Sequence, residues 1–283
     1  MMDKTYVIGG LCLRLQADEP VRDDGFFPLF RGDDALAPDC TVRVLRRPLP
    51  QAEGVTALCN NRRRRVLSGG RAYDYTYFPD AARLTHVPYA CAVRDGAAVT
   101  LYVDYDAPFW DTMLFDALGL PDLLIGSGGM IVHAALIGYG GEGVLFAGPK
   151  RQGKSTQARL WQQCRGAAVI NGDRAVLRHT EQGFTACGIP FCGSSRLCLN
   201  RSLPLRAIVF PEKGGENLAE PLPAMEAFKR LIGCVSYTQA DAAVRDRVLA
   251  MTERAAAGCR CLRLVCRPEE AAVETLARAL ELL

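Results

Sequence analysis

Alternating apolar and polar residues dominate the first 107 residues of the chain and predict short β-strands. Such segments begin at Tyr6 (YVIGGLCLRL), Cys40 (CTVRVLRR) and Leu84 (LTHVPYACAV). The last segment runs into a second one, AAVTLYVDY, which predicts a hairpin with its turn at Asp95-Gly96. We therefore interpret residues 1–107 as a β-rich N-terminal region. It contains no catalytic motif, so we assign it to recognition of a partner.

Helical spacing replaces this alternation in residues 108–120, PFWDTMLFDALGL. Pro108 suits the first turn of a helix, and Gly119 suits its end. We predict a helical connector over residues 108–124.

Strand and helix patterns are mixed in residues 125–283. MIVHAALIG and GVLFAG, joined by YGGEG, predict a hairpin with His133 on its first strand. A helix from Lys154 to about Cys164 and a buried strand, AAVIN, follow. Further predicted elements are strands at Phe184–Gly188 and Ala207–Phe210, helices at Met225–Cys234 and Ala240–Ala256, the strand CRCLRLV and a last helix from Pro268. The chain is therefore predicted to be of the mixed α+β class.

Composition excludes several classes of function. The 49% apolar and 23% charged residues are typical of a soluble globular protein. A net charge of +3 is too small to indicate a nucleic-acid partner. The chain has neither an apolar run of about 18 residues nor a secretory cleavage site, so we expect a cytoplasmic protein without a membrane partner. The longest basic run, Arg62 to Arg65, has no interleaved aromatic residues and is interpreted as a solvated loop.

Twelve cysteines are present, but no CxxC motif occurs among them. Cys259, Cys261 and Cys266 alternate like strand residues in CRCLRLVC. Zinc sites usually need a spacer of roughly two to four residues in a turn, and free cysteine also packs as a small apolar residue. We therefore favour reduced thiols over a metal site.

The strongest chemical signal is GPKRQGKST, which fits the phosphate-loop pattern GxxxxGK[ST]. An apolar strand, VLFA, precedes it, and an amphipathic helix, STQARLWQQC, follows it. Backbone N–H groups of such a loop surround phosphate oxygens, its lysine reaches the β- and γ-phosphates, and its serine offers a hydroxyl to Mg²⁺. The candidate nucleotide-binding residues are Gly148, Pro149, Lys150, Arg151, Gln152, Gly153, Lys154, Ser155 and Thr156.

Two other residues are candidates for the chemistry. Asp173, in AAVINGDRAVL, follows a buried strand, where an acid can hold Mg²⁺ or take a proton from an acceptor hydroxyl, or can be an ordinary turn residue. His133, taken alone, is more typical of a core residue, and His86 and His179 have no supporting context. LSGGR, from Leu67, resembles a transport-ATPase signature but lies before the phosphate loop, so we interpret it as coincidence. No NKxD motif follows the loop, which argues against a guanine-nucleotide switch.

HAALIGYGGEGVLFAGPKRQGKSTQARLW, followed by VINGDRAVL, resembles the C-terminal catalytic domain of HPr serine kinase/phosphorylase over roughly residues 125–215. The resemblance implies a nucleotide fold like that of phosphoenolpyruvate carboxykinase, with a mixed β core and flanking helices over residues 125–283. It implies that Lys154 binds phosphate, that Ser155 and Asp173 hold Mg²⁺, and that Asp173 is the general base, assisted by His133. ATP and Mg²⁺ are the implied nucleotide and metal.

This chain departs from the family at two places. The family has two consecutive acids where this chain has Gly172-Asp173, so one carboxylate is missing. The family's downstream signature is not recognisable, and Arg196, Glu212 and Asn217 are candidates to line the site in its place. The first half does not resemble the family's N-terminal domain. In this respect the chain looks more like the stand-alone bacterial proteins of this type, some of which phosphorylate a serine of a peptide.

Three functions therefore remain open. The first is an ATP- and Mg²⁺-dependent kinase that acts on a hydroxyl, expected to be a serine of a small protein or peptide. The second is a nucleotide-binding regulatory or scaffold protein without transferase activity, which the missing acid favours. The third is a carboxykinase-type enzyme acting on a small molecule. Relatives of this type often form oligomers, and both a monomer and a homo-oligomer are compatible with the sequence.

Overall fold

The structure, a computed structural model, describes residues 2–59, 62–78, 87–96, 98–238 and 241–282. These described residues form twenty β-strands, six α-helices and two short 3-10 helices. The chain divides into two compact units, which comprise Met1–Val7, Leu11–Leu123 and Thr238–Ala242 in the first and Ile8–Gly10, Leu124–Tyr237 and Ala243–Leu283 in the second. None of the described helices is long and apolar enough to cross a membrane. The secondary structure of the chain is therefore mixed α and β, as the sequence predicts.

The first unit is built around a β-sheet. In chain order, the elements up to residue 126 are β1 (Met2–Ile8), β2 (Leu11–Ala17), β3 (Val21–Arg22), β4 (Cys40–Arg46), β5 (Val55–Cys59), β6 (Arg63–Ser68), β7 (Arg71–Tyr77), β8 (Pro88–Asp95), β9 (Ala98–Val103), β10 (Phe109–Trp110), α1 (Asp111–Leu118) and α2 (Leu120–Gly126). Eight of the described strands form one sheet in the order β1-β2-β4-β9-β8-β7-β6-β5. β2, β4 and β9 run parallel, and the strands from β9 to β5 pair antiparallel.

The hairpin predicted around Asp95-Gly96 is confirmed. β8 and β9 pair antiparallel, with Asp95 opposite Ala98, and Gly96 adopts a φ of 58° in the turn. Residues 84–86 of the segment predicted to precede it lie outside the described residues.

The helix predicted over residues 108–120 is shorter than the pattern suggests. Phe109 and Trp110 form the short strand β10, which pairs with β3, so α1 begins only at Asp111. Its predicted end is confirmed, because Gly119 takes the left-handed conformation at φ 66° and its N–H is bonded to the last turn.

The prediction of a solvated loop at Arg62 to Arg65 is wrong. Arg63–Ser68 is strand β6, and the guanidinium of Arg65 is buried. It forms ion pairs with the carboxylates of Asp74, Asp122 and Asp241. A buried arginine is tolerated when acids neutralise it, and these partners are too far apart in sequence for the basic run to reveal them.

A second mixed sheet forms the core of the second unit. Its elements are β11 (Gly129–Val132), β12 (Ala134–Tyr139), β13 (Glu142–Ala147), α3 (Lys154–Arg165), β14 (Ala168–Asn171), β15 (Ala175–Thr180), β16 (Gly183–Cys187), β17 (Ser202–Lys213), β18 (Leu218–Pro221), α4 (Ala224–Ile232), β19 (Val235–Ser236), α5 (Ala242–Gly258), β20 (Cys261–Cys266) and α6 (Glu270–Leu280). The order of the described strands is β14-β12-β13-β17-β16-β15-β11-β19, with β20 pairing both β17 and β18. β13, β17 and β20 run parallel, so their carboxyl ends meet at one edge.

Helices cover both faces of this sheet because alternate residues of its strands point to opposite faces. The apolar cluster that includes residues of α3 and α6 contains Ile137, Phe146, Trp161 and Leu276. The cluster that includes residues of α4 and α5 contains Leu136, Leu145, Leu231 and Val248. Neighbouring residues of β12 and of β13 thus contribute to different clusters, and the sheet is apolar on both faces.

The predicted first strand of the hairpin, MIVHAALIG, is wrong in one respect. β11 ends at Val132 and β12 begins at Ala134, so His133 lies between two strands and not within one. β11 pairs with β15 and β19, whereas β12 pairs with β13 and β14. The chain therefore changes its hydrogen-bonding neighbours at His133, although the apolar pattern runs through without a break.

Candidate functional site

The candidate phosphate loop connects β13 to α3. Gly148 and Gly153 have φ values of 148° and 94°, which favour glycine, and Arg151 is left-handed at φ 72°. Residues with a side chain rarely adopt the backbone conformation of Gly148. The path of this loop therefore depends on glycine at position 148.

Lys154, the first residue of α3, points back into the loop. Its ammonium donates to the carbonyl oxygens of Gly148 and Pro149, both at 2.8 Å, and the side chain is buried. Burial lowers the pKa of Lys154. Among the described residues, no side chain caps α3 at Gly153, so the first N–H groups of the helix have no side-chain acceptor. Phosphate oxygens would meet the helix amides and the ammonium at the same point.

Ser155 and Asp173 line one cavity of about 410 Å³. The Ser155 hydroxyl donates to the carbonyl oxygen of Gly172 at 3.1 Å. Within the described part of the chain, no group of three or more His, Cys, Asp or Glu side chains could hold a metal ion. Mg²⁺ in phosphate sites commonly uses one or two protein oxygens beside phosphates and waters. The hydroxyl of Ser155 and the carboxylate of Asp173 are ligands of the kind that Mg²⁺ prefers.

His133 and Asp173 form a pair at this cavity. Nε2 of His133 lies 3.1 Å from Oδ1 of Asp173, and Nε of Arg174 lies 3.4 Å from Oδ2. Two backbone hydrogen bonds fix the segments that carry this pair. The N–H of Ala134 donates to the carbonyl of Asp173, and the N–H of His133 donates to the carbonyl of Cys234. The strand break at His133 thus brings the imidazole to the acid.

The protonation state of His133 follows from its surroundings. Burial, and then the positive charge of Lys154, lower the pKa of His133, while Asp173 acts in the opposite direction. The imidazole is therefore neutral at pH 7, and we assign the tautomer in which Nε2–H donates to the carboxylate of Asp173. In this state the imidazole orients the carboxylate without adding a charge to the site.

Asn171 positions Asp173, although the sequence analysis did not select it. Its side chain is fully buried, and its Oδ1 accepts from the backbone N–H groups of Asp173 and Arg174 at 2.9 and 3.0 Å. Its amide nitrogen donates to the carbonyls of Ile189 and Phe191 at 2.8 and 3.1 Å. An asparagine that ends a buried strand before Gly-Asp is typical of such a turn, and that signal was present in the sequence.

Cys234 is a second residue that the sequence analysis missed. Its carbonyl accepts from the N–H of His133 at 2.8 Å, and its thiol donates to the carbonyl of Arg230 at 3.3 Å. Burial raises the pKa of Cys234, while the charge of Lys154 and a hydrogen bond from the Gly148 backbone lower it. Cys234 therefore contacts the histidine on one side and the phosphate loop on the other. A single cysteine after Gly233 gives no sequence signal of this role.

Gly172 directly precedes Asp173, and a neighbouring turn leaves no room for a side chain at position 172. A Cβ atom on Gly172 would lie 2.5 Å from Cβ and 2.6 Å from Oγ of Ser195. The 3-10 turn Gly193–Ser195 also lies against the acid itself, since a Cβ on Gly193 would lie 2.8 Å from Cγ of Asp173. The hydroxyl of Ser195 donates to the carbonyl of Cys192 at 2.6 Å, which fixes this turn.

A second cavity, of about 290 Å³, lies on another side of the α3 N-terminus. It is lined by Gln152, Gly153, Thr156 and Gln157 from the loop and helix, and by residues 212–214 and 266–268 at the carboxyl ends of β17 and β20. Oε1 of the buried Gln157 has no hydrogen-bond partner among the described residues. Crevices at the carboxyl ends of parallel strands are common ligand sites in open α/β sheets.

The other candidates are dispersed around these cavities. Arg196, left-handed at φ 50°, stands between Ser195 and Leu197, which line the first cavity. Glu212 lines the second cavity, where Nε of Arg263 donates to its carboxylate at 2.8 Å.

The remaining candidates have structural contacts. The amide of Asn217 donates to Glu269 at 2.6 Å. His179 packs edge-on against the ring of Phe184 at 4.8 Å, and LSGGR forms the turn between β6 and β7, with Gly69 and Gly70 left-handed. His86 lies outside the described residues.

The cysteines of CRCLRLVC lie in or beside strand β20. Burial raises the pKa of Cys259 to about 12 and that of Cys261 to about 11. It also raises the pKa of Cys266, whose sulfur accepts from the amide of Gln157 at 3.2 Å. These groups are protonated thiols at pH 7.

Comparison with known proteins gives little beyond a distant structural likeness. No family model matches the chain. No curated protein matches it either. Among solved structures, it is similar to the HPr(Ser) kinase/phosphatase from Coxiella burnetii at 14% sequence identity and a TM-score of 0.33. The match covers 54% of this chain and 96% of that one. At this identity and TM-score, the likeness does not extend to activity, substrate or partner.

Proposed function

We propose that this chain is an ATP- and Mg²⁺-dependent kinase that transfers the γ-phosphoryl group to a hydroxyl. We expect this hydroxyl to belong to a serine of a small protein or peptide. One observation carries the proposal: the phosphate loop stands between two cavities. Ser155 lines the cavity of Asp173, and Thr156, the next residue, lines the other. A donor on one side and an acceptor on the other would then meet at the loop.

The loop would hold the phosphates of ATP. Lys154 would exchange its two carbonyl acceptors in the loop for phosphate oxygens, and the free N–H groups of α3 would bind the same anion. The nucleoside would extend into the cavity of about 290 Å³ beside Thr156. The partially positive N-terminus of α3 adds to this attraction.

Mg²⁺ would be held by the hydroxyl of Ser155 and the carboxylate of Asp173, together with the phosphates. It would supply positive charge that offsets the charge developing on the transferred group. Ser155 would first have to release the carbonyl of Gly172, which its hydroxyl contacts at 3.1 Å. This single neutral bond is worth only about 1 kcal/mol and does not prevent the exchange.

Asp173 would act as the general base. The acceptor oxygen would form its bond to the γ-phosphorus as the bond to the β–γ bridging oxygen breaks, and ADP would leave with those electrons. The acceptor proton would pass to the carboxylate of Asp173. His133 and Asn171 would be positioning residues, since they hold the carboxylate and its turn. A positioned base contributes roughly 10²–10⁴-fold in rate.

Separate measurements of binding and transfer test these roles. We expect Asp173→Asn to keep the affinity for ATP within about threefold and to lower transfer by roughly 10²–10⁴-fold. Lys154→Ala should lose both. Arg278→Gln, on the exposed surface of α6, is the control and should change neither. Unchanged transfer in Asp173→Asn would contradict the assignment of the base.

A regulatory or scaffold protein that binds nucleotide without transferring phosphate is the second candidate. The single carboxylate at Gly172-Asp173 favours it, because the contact with Ser195 leaves no place for a second acid. Tight ATP binding, with no transfer to peptides or small hydroxyl compounds, would support this candidate over the kinase.

A further inference from the structure

The wall of the acceptor cavity carries an arginine that the proposed reaction does not use. Arg159 lies on α3 one helical turn after Ser155, on the same face of the helix, and lines the cavity that holds Asp173. Its side chain is exposed. The guanidinium is thus placed where it could contact a molecule whose hydroxyl reaches Asp173.

The charges around this cavity are not balanced by the protein. Asp173 already has His133 and Arg174 as partners. Arg159 forms no ion pair or side-chain hydrogen bond with any residue that the structure describes, and Arg196 adds a further exposed positive charge at the same turn as Ser195. The cavity therefore combines one partnered acid with a guanidinium whose donors are unoccupied.

The rest of the wall is partly apolar. Of its lining residues, Ala158 and Val169 are buried, and Leu197 is 41% exposed. A volume of about 410 Å³ is in the range of small-molecule sites and also accommodates one or two side chains of a peptide. An acceptor here would have a short apolar part between its hydroxyl and its polar end.

We propose that the acceptor carries a carboxylate near its reactive hydroxyl and that Arg159 selects it by binding this carboxylate. This inference rests on the proposed kinase function and specifies its substrate class. A guanidinium binds a carboxylate through two parallel hydrogen bonds, which fixes orientation as well as adding affinity. With Arg159 on the carboxylate, the hydroxyl points to Asp173, which takes its proton while the oxygen bonds to the γ-phosphorus.

Two classes of acceptor carry a carboxylate near a hydroxyl, namely acidic peptides and small hydroxy acids. Two sets of test acceptors distinguish these classes. The first set consists of peptides with a central serine flanked by aspartate, alanine or lysine. The second pairs small hydroxyl compounds with and without a carboxylate, namely glycerate with glycerol and serine with serinol. Transfer of labelled phosphate from [γ-³²P]ATP is measured for the parent, Arg159→Gln, Arg159→Glu and the control Arg278→Gln, which removes an equal charge from α6. Thermal unfolding confirms that each variant is folded.

We expect the parent to favour the acceptors with a carboxylate by about tenfold or more in at least one set, the size of effect of one charged hydrogen-bonded contact. Arg159→Gln should reduce this preference to within about twofold. Arg159→Glu should reverse it toward lysine-flanked peptides, and Arg278→Gln should keep the parent's preference. A preference for the carboxylate in the peptide set alone would identify an acidic peptide as the acceptor. A preference for the carboxylate in the small-compound set would identify a hydroxy acid as the acceptor.

Two results would overturn the inference while leaving the kinase function intact. One is transfer with no preference for a carboxylate in the parent. The other is an equal loss with every acceptor in Arg159→Gln, which would assign the guanidinium to the transferred phosphoryl group. Transfer to no acceptor in either set, with ATP still bound, would contradict the kinase function itself, and the inference would fall with it.

Discussion

The substitution Gly172→Ala tests whether Ser195 excludes a second carboxylate from the site. The Cβ of alanine would lie 2.5 Å from the Cβ of Ser195, whereas carbon atoms pack best at about 3.5–4.0 Å. The Gly193–Ser195 turn would have to move by about 1 Å to relieve this overlap. That turn also contacts Asp173, so the displacement would reach the proposed base.

Overpacking of this kind costs about 1–3 kcal/mol of unfolding free energy. Ser195→Gly removes both of the crowding atoms, at a cost of about 0.5–1.5 kcal/mol for its lost hydrogen bond to Cys192. The double variant Gly172→Ala/Ser195→Gly lacks the overlap. We therefore expect the double variant to lose about 1–3 kcal/mol less unfolding free energy than the sum of the two single losses.

Equilibrium unfolding in urea of the parent, the two single variants and the double variant measures this difference. Gly233→Ala is the matched control: its added Cβ would meet its nearest neighbour at 3.6 Å, an ordinary contact, and φ there is −68°. We expect this control to lie within about 0.5 kcal/mol of the parent. Additive single effects at positions 172 and 195 would refute the claim that Ser195 fills the space that a side chain at position 172 would need.

The remaining predictions concern the residues that position Asp173. Asn171→Ala should destabilise the protein by about 2–5 kcal/mol, because four hydrogen bonds of the buried amide are lost, and a loss under 1 kcal/mol in urea unfolding would contradict its role. Burial lowers the pKa of His133, so the unfolded chain binds the proton more readily and stability falls as the pH drops below about 6.5 and through the lower folded pKa. His133→Gln should therefore lose less of its melting temperature between pH 7.5 and 5.5 than the parent does, and an identical pH dependence would contradict the lowered pKa of His133.

Local patterns predicted much of the second unit. The apolar run of β13, the glycines of the loop and the amphipathic helix α3 are adjacent in sequence, so the sequence predicts their order directly. Their faces also follow, because the strict alternation of a strand sends Leu145 and Phe146 to opposite clusters.

Contacts between distant residues could not be predicted in this way. The chain changes strand partners at His133 because β11 pairs with β15 and β19, which lie far along the chain. Arg65 is buried in a strand, where Asp241, 176 residues away in sequence, helps to neutralise it. The exclusion of a side chain at Gly172 depends on Ser195, and neither residue carries a local signal of the other.

Nucleotide binding at residues 148–156 is tested by isothermal titration of ATP with Mg²⁺ into the parent and into Lys154→Ala. We expect micromolar binding in the parent and a loss of at least about tenfold in the variant, because the buried ammonium meets the phosphates. Asp173→Asn should keep most of the affinity and serves as the folded control. Equal affinity in the parent and Lys154→Ala would contradict the assignment of residues 148–156 as the nucleotide site.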